Sequence, residues 1–391
     1  MSFRKRVKKN VPQVALHSIM SLVVGTYKTG KTRLWKEVTE LHYKDPEEAM
    51  LLAFEAGYET WELDNFIPVH EGYTIEEKPN KTGELWEVWD YFRNVVVKGL
   101  VDEAKEERIV KLLGIDTADR AIDAATAFVL HQQGKKYGKT FASPQEISES
   151  TDVNGWVLIY EELKRQVDAL RDAGYGIMTL AWTKEKETTL YDGKKYNSIE
   201  LMMSNTGKKV FESQASLICC LHNEVNILDR EGNELDDNVT DKKGRKIASN
   251  FHETKTVMYF RPSEYVSIAG GRYTDLPEKV DYSAENFMEV FENAVKGQLK
   301  KTKTDVAKLD KQQEEKRDQK IKEIAKEEEA AKSFNELAAE VDSEVMRLRK
   351  AKKASQIGKP FTELFGNPNN YKESTDVEAL TKALEIAKAI Q

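Results

Sequence analysis

The sequence predicts an α/β fold with a mostly parallel central sheet, followed by a charged helix and a small helical C-terminal module. Three observations carry that prediction. From residue 20 to about 222, short apolar runs alternate with longer amphipathic segments; a glycine-bearing loop joins the first run to the first segment; and the alternation ends before a long stretch of mixed charge. At 391 residues the chain is also too long for one small core.

The apolar runs are "SLVV", "MLLAF", "KLLGI", "GIMTLA" and "SLICCL", each short enough for a strand. Between them, "WVLIYEELKRQVDALRDAG" places Trp156, Ile159, Leu163, Val167 and Leu170 on one helical face, so it reads as a crossover helix that Gly174 ends. After Leu221, "NILDREGNELDDNVTDKKGRKI" is polar and turn-rich, and "TKTVMYF" with "EYVSIAGG" reads as a hairpin or two edge strands. The stop "RYTDLPEKVDYS" precedes the helix "AENFMEVFENAV", with Asp281 or Ser283 as its cap. From Gln298 to Lys332 no proline, glycine or aromatic residue interrupts the charge. Val306, Leu309, Ile321 and Ile324 are too sparse for a heptad seam, which favours a solvated single helix over a dimeric coiled coil. The helices "SFNELAAEVDSEVMRLRKAKKA" and "DVEALTKALEIAKAI" then flank the turn-rich "GKPFTELFGNPNNYKEST". The expected parts are a basic tail over 1–14, the α/β domain over 15–297, a charged helical linker over 298–332 and the helical module over 333–391.

A net charge of -7 argues against coating nucleic acid by bulk attraction, so any such contact falls to local basic patches. The two cysteines, Cys219 and Cys220, sit inside an apolar run and are expected to pack as small hydrophobes, in keeping with a reducing cytoplasm. No apolar stretch approaches the ~20 residues that cross a bilayer, and the apolar segment after "MSFRKRVKKN" is too short for a secretory signal. The reading is a cytoplasmic protein without a membrane partner, its basic opening a solvated end.

In "VVGTYKTGKTRLWKEV" a strand, a glycine, four residues and Gly-Lys-Thr lead into a helix. That is the context of a phosphate-binding loop for ATP with Mg2+. Gly25, Thr26, Tyr27, Lys28, Thr29, Gly30, Lys31, Thr32 and Arg33 would line it, Lys31 against the β and γ phosphates and the Thr32 hydroxyl on magnesium. Hydrolysis also needs a carboxylate near the metal and a group to act on water. Asp116 in "KLLGIDTADRAID" follows an apolar strand and suits the metal shell through water, with Asp119 as the alternative or as a helix cap. Glu55 in "MLLAFEAGYETWEL" ends the second strand, where it is able to reach the γ phosphate.

Together these elements resemble the RecA-like ATPases, most closely the compact phage version associated with single-strand annealing and recombination, over roughly residues 15 to 285. The resemblance implies that Glu55 is the general base and Asp116 the Walker B carboxylate. It departs at "IMTLAWTK", where the family usually places a glutamine or histidine that senses the γ phosphate and this chain has Trp182, Thr183 and Lys184. The family's DNA-binding loops fall on two basic segments, one with Lys135, Lys136, Tyr137 and Lys139, the other with Lys194, Lys195, Tyr196, Lys208 and Lys209. Their lysines would meet phosphates and their tyrosines would stack bases. Such ATPases work as rings or filaments in which a neighbour's basic residue completes the site, and Lys255, Arg261 and Arg272 lie in the matching part of the chain. The implied function is an oligomeric ATPase acting on single-stranded DNA in phage recombination or replication, in the host cytoplasm. The alternative is a helicase-loading or replisome-associated ATPase, recruited through its C-terminal helices to a single-strand-binding or replisome protein. A small-molecule kinase would carry a compact arginine-rich lid, which the sequence lacks.

Overall fold

The computed structural model describes residues 10–72, 83–189, 191–228, 251–299, 305–372 and 376–390. Along the chain run β1 (Met20–Gly25), α1 (Lys31–His42), β2 (Ala49–Ala53), β3 (Phe66–Ile67), α2 (Leu85–Tyr91) and α3 (Lys98–Glu106), the last two joined by a π-helical turn at Phe92–Val97. Then come β4 (Leu112–Asp116), α4 (Ala118–Tyr137), α5 (Pro144–Ser150), α6 (Gly155–Asp172), β5 (Gly176–Thr189), β6 (Lys195–Leu201), α7 (Asn205–Val210) and β7 (Leu217–Leu228). The remainder is β8 (Phe251–Tyr259), β9 (Gly270–Gly271), β10 (Lys279–Asp281), α8 (Ala284–Gln298), α9 (Val306–Lys350), α10 (Ser355–Phe365) and α11 (Val377–Ala389).

The main sheet has the order β10-β8-β7-β1-β5-β4-β2-β3. Its strands from β7 to β3 are parallel, while β8 and β10 are antiparallel additions at one edge. Both faces are covered, so strand residues alternate between two cores. Leu22 and Val24 of β1 join Leu52, Ile115 and Ile177 on one face with the helices from α2 to α6. Val23 joins Leu51, Met178, Leu180 and Cys219 on the other with α1 and α8. Cys219 and Cys220 are free and buried within these cores.

Two helices show how the sequence sets their limits. Asn154 Oδ1 accepts from the backbone N–H of Trp156 (3.0 Å) and Val157 (3.2 Å) to start α6, and Gly174 at φ 91° turns the chain away after it. Ile159, Leu163, Val167 and Leu170 are each at most 1% exposed, a burial that contributes roughly 1.5–3 kcal/mol per side chain. Trp156 departs from the predicted face: it lies in the first turn of α6 and is 43% exposed. Ser283, not Asp281, caps α8 by accepting from Asn286 N at 3.0 Å, because Asp281 is the last residue of β10 and pairs with Lys255.

Other expectations are corrected. "TKTVMYF" lies in β8, but its partners are β7 and β10; "EYVSIAGG" contributes only β9 against the start of β7 and a bridge from Val266 to Ile199. Residues 229–250, most of the polar, turn-rich segment, lie outside the described residues. The segment 10–14 is tied down: Val14 is buried, its N–H donates to Gln313 Oε1 (3.3 Å), and Gln313 Nε2 donates to the Pro12 carbonyl (2.8 Å). Nor is the charged stretch solvated throughout. Leu309 packs in the α1 and α8 core, and Arg108, its side chain 2% exposed, pairs with Glu314 and Asp318 of α9.

The chain accordingly falls into two compact units that divide after Asp318, later than the predicted start of the linker and earlier than its end. The second unit, Gln319–Gln391, has its own core of Val341, Val345 and Leu348 from α9, Ile357 and Phe361 from α10, Tyr371, and Leu380 and Leu384 from α11. Here "GKPFTELF", predicted as turn, is helical despite Pro360, since Ile357, Phe361 and Leu364 bring apolar side chains at three and four spacing into that core.

Candidate nucleotide site

β1 ends at Gly25, flanked by Trp182 of β5 and Leu221 of β7. A Cβ there would lie 2.5 Å from Thr29 Oγ1 and 2.9 Å from the Leu221 carbonyl oxygen, so the close turn of the following loop requires glycine. Lys28 (φ 64°) and Gly30 (φ 90°) take left-handed conformations across the crest, and α1 begins at Lys31. Lys31 Nζ donates to the carbonyls of Gly25 (3.0 Å) and Thr26 (2.9 Å), and Thr29 Oγ1 donates to the Thr26 carbonyl (2.9 Å). Burial lowers the Lys31 pKa from its usual value, against the pull of Asp116, Glu55 and Asp119.

Two of those carboxylates sit where the sequence placed them. Asp116, 1% exposed, accepts from Thr32 Oγ1 at 2.6 Å through Oδ2, while its Oδ1 has no partner among the described residues. Burial raises its pKa, opposed by the Thr32 hydroxyl and the Lys31 charge. A hard cation fits this pair: the hydroxyl and the unpartnered carboxylate oxygen are the oxygen donors magnesium uses, with phosphates and water left to complete its shell. Glu55 follows β2 after Phe54, whose N–H still pairs with the Asp116 carbonyl (2.6 Å). Burial and the nearby Asp116 push the Glu55 pKa up to about 7, with Lys31 and Arg120 pulling against them. Asp119 does different work, accepting from the Trp182 N–H at 2.7 Å and so tying α4 to β5.

The loop and Glu55 open on a cleft of about 590 Å³, lined also by Gly57, Trp61, Trp182, Thr256 and Tyr282. Trp182 therefore faces the site, not only the core edge. Its ring lies 4.8 Å from that of Tyr27, and the Arg120 guanidinium stands 5.0 Å from its centroid. Thr183 is buried with an Oγ1 unpartnered among the described residues, and Lys184 is exposed at the base of the β5–β6 hairpin. Tyr282, which sequence reasoning missed, donates from its hydroxyl to the Gly30 carbonyl at 3.0 Å while Arg33 sits 5.4 Å over its ring. No local motif announces Tyr282 or Thr256, since β8 and β10 bring them to the cleft by pairing across the sheet. Arg120 did carry a signal: a cation in the first turn of a helix, where the macrodipole disfavours it.

The basic segments are dispersed. Lys135, Lys136 and Tyr137 form the last turn of α4 and not a loop, about 24 Å along the helix axis from Asp119. Lys135 lies over Trp86, Tyr137 donates to Asp152 (2.9 Å), and Lys139 stands over Phe141. Lys194, Lys195 and Tyr196 belong to the β5–β6 hairpin, whose strands leave the main sheet beyond Thr183. Lys208 and Lys209 lie on α7. Lys255 is paired with Asp281 (2.7 Å), whereas the Arg272 N–H bonds Ser216 just before β7, at the opposite end of the strands from the loop. Arg261 is exposed just after β8. The structure does not bring these three cations together.

Among the described residues no helix is long and apolar enough to cross a membrane. No curated protein matches the chain. A family model described as an AAA domain matches residues 17–273, a span that contains the loop, Glu55, Asp116 and the strands that carry them. With a lysine and threonine at the head of a helix, a carboxylate on the metal side and a second carboxylate across the cleft, the chain belongs to this AAA domain family of P-loop ATPases.

Proposed function

We propose that the protein is a RecA-like ATPase that hydrolyses ATP in step with binding single-stranded DNA, assembled as a ring or filament for annealing or strand exchange in phage recombination or replication. The observation that carries the nucleotide half is the strand order β7-β1-β5-β4-β2. One strand separates the loop strand from the Asp116 strand, and Glu55 stands on the next strand out, so cradle and base converge on one crevice.

In that crevice the loop and Lys31 would hold the phosphates, and Thr32 with Asp116 would hold a magnesium ion, which would neutralise phosphate charge. Glu55 takes the proton of the attacking water. Tyr282, with Arg33, offers the base an aromatic and cationic face at the other side of the same cleft. The DNA half rests on continuity: β5 carries Trp182 in the cleft and then rises into the hairpin with Tyr191 fully exposed and Tyr196 at 41%. A hairpin that carries exposed tyrosines in its turn and on its second strand suits stacking on unpaired bases.

The deciding measurement is ATP turnover with and without single-stranded DNA across a salt series, beside the particle mass with and without ATP. DNA-stimulated turnover, weakening as salt rises, supports the reading. Turnover abolished by Lys31→Ala but indifferent to DNA, with no DNA bound, overturns the DNA half and leaves the ATPase. One observation favours the helicase-loader alternative, namely that Gln319–Gln391 has its own core. A chain ending at Asp318 that keeps turnover but loses capture of a single-strand-binding or replisome protein would support it.

A further inference from the structure

We infer that Arg120 is a catalytic arginine that each chain supplies to its own nucleotide, and that Trp182 is the platform on which it rests. This role depends on the ATPase reading above and explains why a tryptophan stands where a polar phosphate sensor was expected.

Four observations converge on Arg120. It is the third residue of α4, one turn beyond Asp116, where a cation opposes the helix dipole. Its guanidinium lies 5.0 Å from the centroid of the Trp182 ring, which itself lines the cleft with Lys31, Thr32 and Glu55. Among the described residues its one hydrogen bond runs to Asp123 at 3.5 Å, between side chains 49% and 54% exposed, a weak tie that leaves most of its donors uncommitted. Its charge also reaches Glu55, where it and Lys31 are the cations that oppose the raised pKa.

The reaction gives such a group a task. As the water oxygen bonds to the γ phosphorus, the bond from that phosphorus to the β–γ bridging oxygen breaks; the water proton passes to Glu55, and the bridging oxygen leaves with the electron pair on ADP. Negative charge grows on the bridging and γ oxygens. A planar guanidinium with five N–H donors matches those oxygens, and resting on the Trp182 ring at the wall of the cleft holds it close without binding it tightly. Tyr27 leans on the same indole with its ring tilted by 51°, so the loop that would hold the phosphates and Arg120 share one contact surface.

The test uses the full chain. Arg120→Ala is expected to lower kcat at least about 10²-fold while the affinity for a fluorescent ATP analogue stays within about 3-fold, and to lose trapping of ADP with aluminium fluoride. Arg120→Lys should recover little, because an ammonium lacks the fork. Mixing Arg120→Ala chains with Lys31→Ala chains decides whose nucleotide the arginine serves: no recovery of turnover is expected, since each chain must carry both residues. Recovery on mixing, or kcat within about 3-fold of wild type for Arg120→Ala, overturns the inference. Normal turnover by Arg120→Ala beside a dead Lys31→Ala would leave the ATPase reading standing; a wild type without turnover would remove both.

Discussion

The nucleotide cleft and the β5–β6 hairpin are built on the same strand, and they handle charge in opposite ways. At the cleft, polar atoms are buried and incompletely matched: Asp116 Oδ1, beside Thr32, has no partner among the described residues, and Lys31 folds onto carbonyls of its own loop. On the hairpin, charges are exposed and matched within the element, Lys186 to Glu200, Lys195 to Glu187 and Lys194 to Asp192. Unmet bonding capacity in a buried site is held for a ligand, because leaving it unmet is costly. Self-paired surface lysines have little left to offer a phosphate chain, so the hairpin's tyrosines must carry more of any nucleic-acid affinity.

The largest test of this contrast removes the central cation. Lys31→Ala is expected to abolish phosphate release, by roughly 10³-fold or more, without lowering the melting temperature, since a desolvated ammonium is lost with it. Next, Glu55→Gln should cut kcat by roughly 10²- to 10⁴-fold while ATP binding persists, measured by equilibrium binding beside turnover. On the hairpin, Tyr191→Ala with Tyr196→Ala should weaken single-stranded DNA binding by about 1–3 kcal/mol for each base no longer stacked, read by fluorescence anisotropy.

The pH profile gives a smaller effect with a definite sign. Glu55 works as a base only when ionised, and its pKa is pushed up to about 7. Turnover should therefore hold above that value and fall roughly tenfold per unit below it, a limb that Glu55→Gln removes. The smallest change is expected from Lys194→Ala and Lys195→Ala, which should shift DNA affinity less than about 3-fold and leave its salt slope nearly unchanged. A steep loss there would show that the internal ion pairs open on binding.

Five of the six parallel strands, the phosphate loop, and the places of Glu55 and Asp116 were legible because each depends on a local pattern: an apolar run, a fixed glycine spacing, a carboxylate at a strand end; the two-residue β3 offered no such run. Tyr282 and Thr256 were not, since only the antiparallel pairing of β8 with β7 and β10 carries them to the cleft. Lys135 and Lys136 were misread as loop because α4 continues through them to Gly138 at φ 65°; the glycine at 134, which suggests a break, is helical. Trp156 matched the helical period of α6, yet its place in the first turn leaves it outside the core.

The seating of the first turns of α9 against Arg108 also determines how this protein is able to exchange parts. The seam between its two units falls inside a helix, after Asp318, and the carboxylates that neutralise the nearly inaccessible Arg108 lie just upstream. Removing the charged segment from its beginning would strand a buried cation, a loss on the order of 3–5 kcal/mol. A graft at the helical seam keeps those carboxylates with the ATPase. Variation beyond the catalytic body is therefore easiest to accept when it arrives as a new continuation of the same helix, with the ATPase body retaining the turns that complete its own charge balance.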